Sequence, residues 1–346
     1  IEEFYSGKTA QLIVDEMNSA DGIITAEDLS AYKSVWRETI SIDYKGFRIH
    51  SMPPPSSGGI CILQLLGIIS SYNIGTLRWH SEEHIHLITE AERRVYADRA
   101  YYLGDPDFVN IPIDEITNKN YLLERMMDFH PKKATESAYL KEGKILDEGE
   151  QTTHLSVVDS KGNAVSLTTT LNLAYGSKVF VDDAGFFLNS QMDDFSIKPG
   201  VPNEWGLVGA EANAIASQKR MLSSMSPTIV EKNNDLFMLL GSPGGSTIIT
   251  TIFQCISNVV DFDMTLEEAV QAPRIHHQWL PDKLFYEKSS LTESQLSELR
   301  QMGHNLEERS LIGSIQAIIK HENGEYSTSA DHRRDAKGST CAIKIR

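Results

Sequence analysis

From residue 152 onward the sequence repeats one pattern, a short apolar run, a cluster of turn residues and a second apolar run. Leu155–Val158 and Ala164–Leu171 flank Asp159-Ser160-Lys161-Gly162-Asn163. Thr228–Val230 and Leu236–Leu240 flank Lys232-Asn233-Asn234-Asp235, and Ser314–Lys320 and Tyr326–Ser329 flank His321-Glu322-Asn323-Gly324. Connections this short predict hairpins, because parallel strands need a longer crossover. Between them lie helical patterns at Thr247–Val260, Leu266–Gln271 and Glu293–Met302, the last with Thr292 as cap and Gly303 as stop. Before residue 152 the order differs. The first ~30 residues read as helix, turn, helix, with Thr25 opening a T-x-x-D box. A strand over Ile40–His50 follows, then the rigid Pro53-Pro54-Pro55-Ser56-Ser57-Gly58-Gly59, a helix from about Ile60 to Ser71, and a long helix from about Glu82 to Tyr102. Antiparallel strands interleaved with helices predict an α+β fold in which helices cover sheets.

At 346 residues the chain can bury a large core in one domain or two. A balance of 32 Lys+Arg against 48 Asp+Glu disfavours nucleic acid or an anionic membrane surface as partner. No apolar run approaches the ~18 residues of a spanning helix. Cys61, Cys255 and Cys341 lie far apart in apolar or β-like contexts and read as structural thiols, with no zinc site or disulfide framework. The chain opens Ile1-Glu2-Glu3 without Met or signal peptide, so it reads as a fragment or processed form. Gly7-Lys8-Thr9 resembles the end of a phosphate loop, but Glu2 stands where that motif needs glycine.

Thr152 opens Thr152-Thr153-His154-Leu155-Ser156-Val157-Val158-Asp159, where a polar connector ending at Gln151 enters a strand. If the chain is cut between Gln151 and Thr152, Thr152 gains a free α-amine beside its hydroxyl. Such an amine titrates at about pH 7–8, so one residue supplies nucleophile and general base. The plain alternative is a β-branched pair starting a strand.

Four further strings carry chemistry. Gly241-Ser242-Pro243-Gly244-Gly245-Ser246 joins an apolar strand to a helix N-terminus, where backbone N–H groups can face a developing oxyanion; it also suits an ordinary strand-to-helix turn. Leu222-Ser223-Ser224-Met225-Ser226-Pro227 offers two hydroxyls to a carboxylate, or caps its own backbone. Asn189-Ser190-Gln191-Met192-Asp193-Asp194-Phe195 sets amides and carboxylates to grip an ammonium, or forms a solvated loop. Pro199–Gly209, with glycines at both ends and Trp205 within, has the composition of a lid. A competing signal is His80-Ser81-Glu82-Glu83-His84, an H-x-x-E-H string that could hold zinc with Glu83 as base, though a polar helix entry is its simpler reading.

Together with Glu90–Asp107 and Ala272–Asp282, these strings in this order resemble γ-glutamyltranspeptidases, N-terminal-nucleophile hydrolases, over essentially the whole chain. The resemblance implies a four-layer αββα sandwich, with residues 1–151 from the C-terminal part of a large subunit and 152–346 a small catalytic subunit cut from one precursor. It implies Thr152 as nucleophile, Thr170 as helper hydroxyl and Gly244 and Gly245 at the oxyanion hole. Asn172, Gln191 and Asp194 would hold the α-amine of a γ-glutamyl donor such as glutathione, and Ser223 and Ser224 its α-carboxylate. Acceptors would be water, amino acids or dipeptides, with no cofactor and a periplasmic or extracellular location. The family's carboxylate-binding arginine is expected upstream of Ile1, since Lys219-Arg220 reads as facing solvent. A metallopeptidase using His80, Glu83 and His84, or a non-catalytic binding protein on the same fold, are the rival expectations.

Overall fold

The computed structural model describes residues 1–140, 152–201 and 209–340. Its main sheet has six antiparallel strands in the order Ile40–Tyr44, Phe47–Ser51, Thr228–Lys232, Asp235–Gly241, Gln316–Lys320 and Tyr326–Ala330. Phe47–Ser51 pairs directly with Thr228–Lys232, so chain from both sides of Thr152 builds one sheet. The expected single strand over Ile40–His50 is instead a hairpin. Lys45 (φ 49°) and Gly46 (φ 86°) both take left-handed conformations there and turn the chain back on itself.

One face of this sheet is covered by the helices Gly58–Ser70 and Thr247–Asp261, which pack on each other, while Glu82–Tyr102 packs behind Gly58–Ser70. Gly58–Ser70 is apolar on every side and buried nearly throughout, the pattern of a helix enclosed between layers. Glu82–Tyr102 starts at Ser81, whose Oγ accepts from the His84 N–H, and it buries Glu90 between Arg93 and Arg94. Arg93 and Arg94 each reach a second carboxylate, Asp282 and Asp128, so the buried charges compensate one another in a single network.

Against the other face lies the hairpin Thr153–Val158 with Ala164–Thr169. Its inner side is polar: Ser166 Oγ donates to the Leu240 carbonyl (3.2 Å), and His154 meets Thr168 Oγ1 (2.8 Å) and Ser156 Oγ (3.0 Å). Leu155, Val157, Val165 and Leu167 alternate with these and are about half exposed. Helix layer, six-stranded sheet and hairpin supply three successive layers of an αββα sandwich, and the fold class is α+β.

Ile275–His276, Leu284–Glu287 and Leu306–Arg309 form a small separate sheet whose last two strands run parallel, connected through the helix Glu293–Gln301. Hairpin logic did not anticipate that pair. Beside it, buried Asp331 accepts from Arg274, Arg333 and the Ile315 N–H, which fixes the segment leading to Arg334. Cys61 and Cys255 are buried free thiols, each pushed up to about 12 by burial; Cys341 lies outside the described residues. Among the described residues no helix is long and apolar enough to cross a membrane.

Candidate active site

Thr152 sits one residue before the hairpin's first strand, and the register Thr153↔Thr169 carries it opposite Thr170. The two hydroxyls meet at 3.3 Å. Thr170 Oγ1 also accepts from the Asn172 N–H at 2.9 Å. Asn172 holds φ 72°, a left-handed conformation that asparagine tolerates better than most residues, and this bend turns the chain away from the strand. Its Nδ2 donates to the Ser190 carbonyl at 3.2 Å, next to Gln191. Gln191–Asp194 forms one 3-10 turn, whose first N–H is capped by Asn189 Oδ1.

Asn213 joins this turn to the serine pair. Its Nδ2 donates to the Asp194 carbonyl (2.8 Å) and its Oδ1 accepts from the Leu222 N–H (3.0 Å). The serine loop is braced from the other side by the Pro53–Gly59 turn. Ser57 donates both N–H and Oγ to the Ser223 carbonyl (2.8 and 2.7 Å), and the Ser223 N–H returns to the Pro55 carbonyl (2.9 Å). Arg99 then reaches Ser224 Oγ with Nη2 at 3.1 Å. One connected path of side chains and backbone therefore runs from Thr152 through Thr170, Asn172, Ser190 and Asp194 to Ser223, Ser224 and Arg99.

Gly244 (φ 138°) and Gly245 (φ 55°) make the turn into the helix Thr247–Asp261. A Cβ on Gly244 would meet Thr247 Oγ1 at 2.4 Å, so the turn excludes a side chain both sterically and by conformation. Pro243 of this turn and Thr152 line one cavity of about 510 Å³, together with His154 and Arg334. Arg334 Nη1 donates to the Thr152 carbonyl at 3.1 Å and anchors the residue through its backbone.

Asp194 is raised to about 7 by removal from water and by neighbouring Asp193, against the opposing pull of Arg99. At neutral pH it therefore lies close to its titration, and a bound ammonium would favour its ionised form. His154, by contrast, is depressed to about 4 by burial and is neutral, a packing residue within the strand that follows Thr152.

The H-x-x-E-H string does not form a metal site. His84 Nδ1 accepts from the His80 N–H (3.3 Å), His80 precedes the helix with φ 59°, and Glu83 points to solvent. Burial depresses both imidazoles, and no group of three metal-binding side chains occurs among the described residues. Lys219 and Arg220 do not simply face solvent. Lys219 Nζ holds the carbonyls of Ala212 and Ala214, and Arg220 pairs with Asp107. Of the lid string, Gly200 N–H donates to the Gly209 carbonyl (3.0 Å), closing the loop at its base, while Trp205 lies outside the described residues. Arg99, Ser57, Asn213 and Arg334 were not singled out from sequence. Each acts on a partner more than a hundred residues away or through backbone carbonyls, which leaves no local pattern to read.

A threonine at the edge of a layered antiparallel fold, beside a glycine turn at a helix N-terminus, defines the architecture of N-terminal-nucleophile hydrolases. The chain belongs to the gamma-glutamyltranspeptidase family, whose sequence model matches residues 1–341. It is 46% identical over 333 residues to the glutathione hydrolase proenzyme of Escherichia coli K12, covering 96% of this chain and 57% of that protein. The chain thus spans less than two thirds of that relative's length. Among solved structures, Helicobacter pylori gamma-glutamyltranspeptidase T380A is 53% identical, with a TM-score of 0.51, and covers 53% of this chain and 100% of its own. Cephalosporin acylase from Bacillus halodurans shares the fold at a TM-score of 0.82 over 96% of this chain and 58% of its own, at 23% identity.

Proposed function

We propose that this chain carries the catalytic machinery for hydrolysis and transfer of γ-glutamyl groups, with glutathione as a donor. The observation that carries the reading is the connected path from the Thr152 hydroxyl to Asp194 and Ser224. It links a nucleophile, an acid for an ammonium and hydroxyls for a carboxylate through hydrogen bonds and backbone. The precursor is cleaved between Gln151 and Thr152 when Thr152 Oγ attacks the Gln151 carbonyl and water hydrolyses the resulting ester. Residues 1–151 and 152–346 then act as parts of a large and a small subunit sharing one sandwich.

In turnover the Thr152 α-amine accepts the hydroxyl proton as Oγ attacks the γ-carbonyl carbon. The N–H groups of Gly244 and Gly245 stabilise the oxyanion, and the α-amine returns the proton to the departing amine. Thr170 fixes the rotamer of the attacking hydroxyl. Water, an amino acid or a dipeptide then takes the glutamyl group from the Thr152 ester. The donor's α-amine is held by Asp194, Asn172 and Gln191, and its α-carboxylate by Ser223 and Ser224. Location in the periplasm or outside the cell follows from the family reading.

Acid quenching during turnover of a γ-glutamyl anilide tests this. The polypeptide beginning at Thr152 is expected to gain the mass of one γ-glutamyl group, and turnover is expected to survive chelators. Thr152→Ala should lose the adduct and at least about 10³-fold in kcat. An adduct elsewhere, or loss of activity to chelators, would contradict the reading.

A further inference from the structure

Five arginines are buried among the described residues: Arg93, Arg94, Arg99, Arg274 and Arg333. Four have a carboxylate within ion-pair distance: Arg93 and Arg94 share Glu90, Arg274 has Asp331, and Arg333 has Glu287 and Asp331. Arg99 differs. It is 4% exposed, its Nε donates to Ser57 Oγ at 2.9 Å and its Nη2 to Ser224 Oγ at 3.1 Å, and neither partner is charged. Keeping a guanidinium out of water with no carboxylate in ion-pair contact is costly, so this arrangement is poised for an anion that arrives from outside.

The surroundings say which anion. Ser57 and Ser224 are the two arms of the braced unit in which the Pro53–Gly59 turn grips the serine loop. A hydroxyl that accepts from a guanidinium has its own proton free to donate onward. Resting on the function proposed above, we infer that Arg99 is a positioning residue of the donor site: it orients Ser224 toward the donor's α-carboxylate and offsets that carboxylate's charge. The Pro53–Gly59 motif, otherwise without a role, becomes the brace that sets Arg99 and Ser224 in register. A second effect follows at Asp194. Asp193 and Arg99 are the charged groups acting on it among the described residues, and Arg99 is the one favouring ionisation.

The test uses the full-length processed protein with Arg99→Gln and Arg99→Lys, a γ-glutamyl anilide as donor, and two competitive inhibitors. L-glutamate carries the α-carboxylate and 4-aminobutyrate lacks it. At about pH 8.5, where Asp194 is ionised, Arg99→Gln is expected to raise the donor KM and the glutamate Ki about tenfold to a hundredfold, leaving kcat and the 4-aminobutyrate Ki nearly unchanged. Arg99→Lys restores charge but cannot span both serines, so its KM should lie between. The pH at which KM falls should move alkaline in Arg99→Gln and stay in place in Arg99→Lys. Should a variant remain unprocessed, calorimetric binding of the same two ligands replaces Ki, and their ratio decides. An unchanged donor KM, or equal shifts for both ligands, would overturn the role of Arg99 while leaving the proposed function standing. A wild-type protein without γ-glutamyl turnover would overturn both.

Discussion

Asp194 is the residue whose physical state says most about how the site works. A carboxyl raised to about 7 binds protons more tightly in the folded protein than in the unfolded one, where it titrates near its ordinary value. Its cost to stability is therefore absent below the unfolded value, grows as pH rises from about 4 to about 7, and is fully present above that. Asp194→Asn is expected to raise the unfolding midpoint at pH 8 by about 2 °C, with less gain at pH 5. Under the proposed binding of the donor's amine by Asp194, KM for a γ-glutamyl donor should fall as pH rises through about 7 in the wild type. In Asp194→Ala it should be high throughout, because a charge-assisted contact worth about 2–5 kcal/mol is lost. A wild-type KM profile flat from pH 6 to 8 would place the donor's amine elsewhere. At this scale the residue types of the proposed site were legible in the sequence, and a path of hydrogen bonds and backbone links Thr152, Thr170, Asn172, Gln191, Asp194, Ser223 and Ser224. It could not reveal Arg99, because nothing near residue 99 refers to Ser224.

At the scale of elements, two turns set the chemistry. The Gly244-Gly245 turn depends on positive φ at both positions, and Gly245→Val would displace the N–H groups proposed to face the developing oxyanion. A loss of about 10²–10³ in kcat with donor KM little changed is expected; normal turnover would rule the turn out as the oxyanion hole. Asn213, buried between the Gln191–Asp194 turn and the serine loop, ties the two ends of the proposed donor site together. Asn213→Ala should raise donor KM and leave self-cleavage intact, since its bonds touch neither Thr152 nor Thr170. Elements with strong periodicity or clear caps were legible: Glu82–Tyr102 and Leu266–Gln271 match their expected bounds, and Thr25 and Thr292 both cap as read. The Ile40–His50 run misled because alternation continues through the Lys45-Gly46 turn, so period alone does not mark where a strand reverses. The parallel pair Leu284–Glu287 and Leu306–Arg309 escaped notice because its partners are separated by a helix.

For the whole molecule, the central claim is that chain on both sides of Thr152 folds as one body and that Thr152 becomes a new N-terminus. Pairing of Phe47–Ser51 with Thr228–Lys232 makes the first half of that claim a matter of backbone hydrogen bonds, and cleavage before Thr152 would leave every one of them in place. The two products should therefore stay together under native conditions and separate only on denaturation. The layered class was legible in the change from helices to hairpins around residue 152; which strands cross between the two parts was not, because pairing partners nearly two hundred residues apart leave no mark on either sequence. Intact mass under denaturing conditions, with N-terminal sequencing, tests the claim most directly. The wild type is expected to give two polypeptides, one beginning at Thr152, and Thr152→Ala a single uncut chain. Equal cleavage of the variant, or a new N-terminus at any other residue, would contradict it.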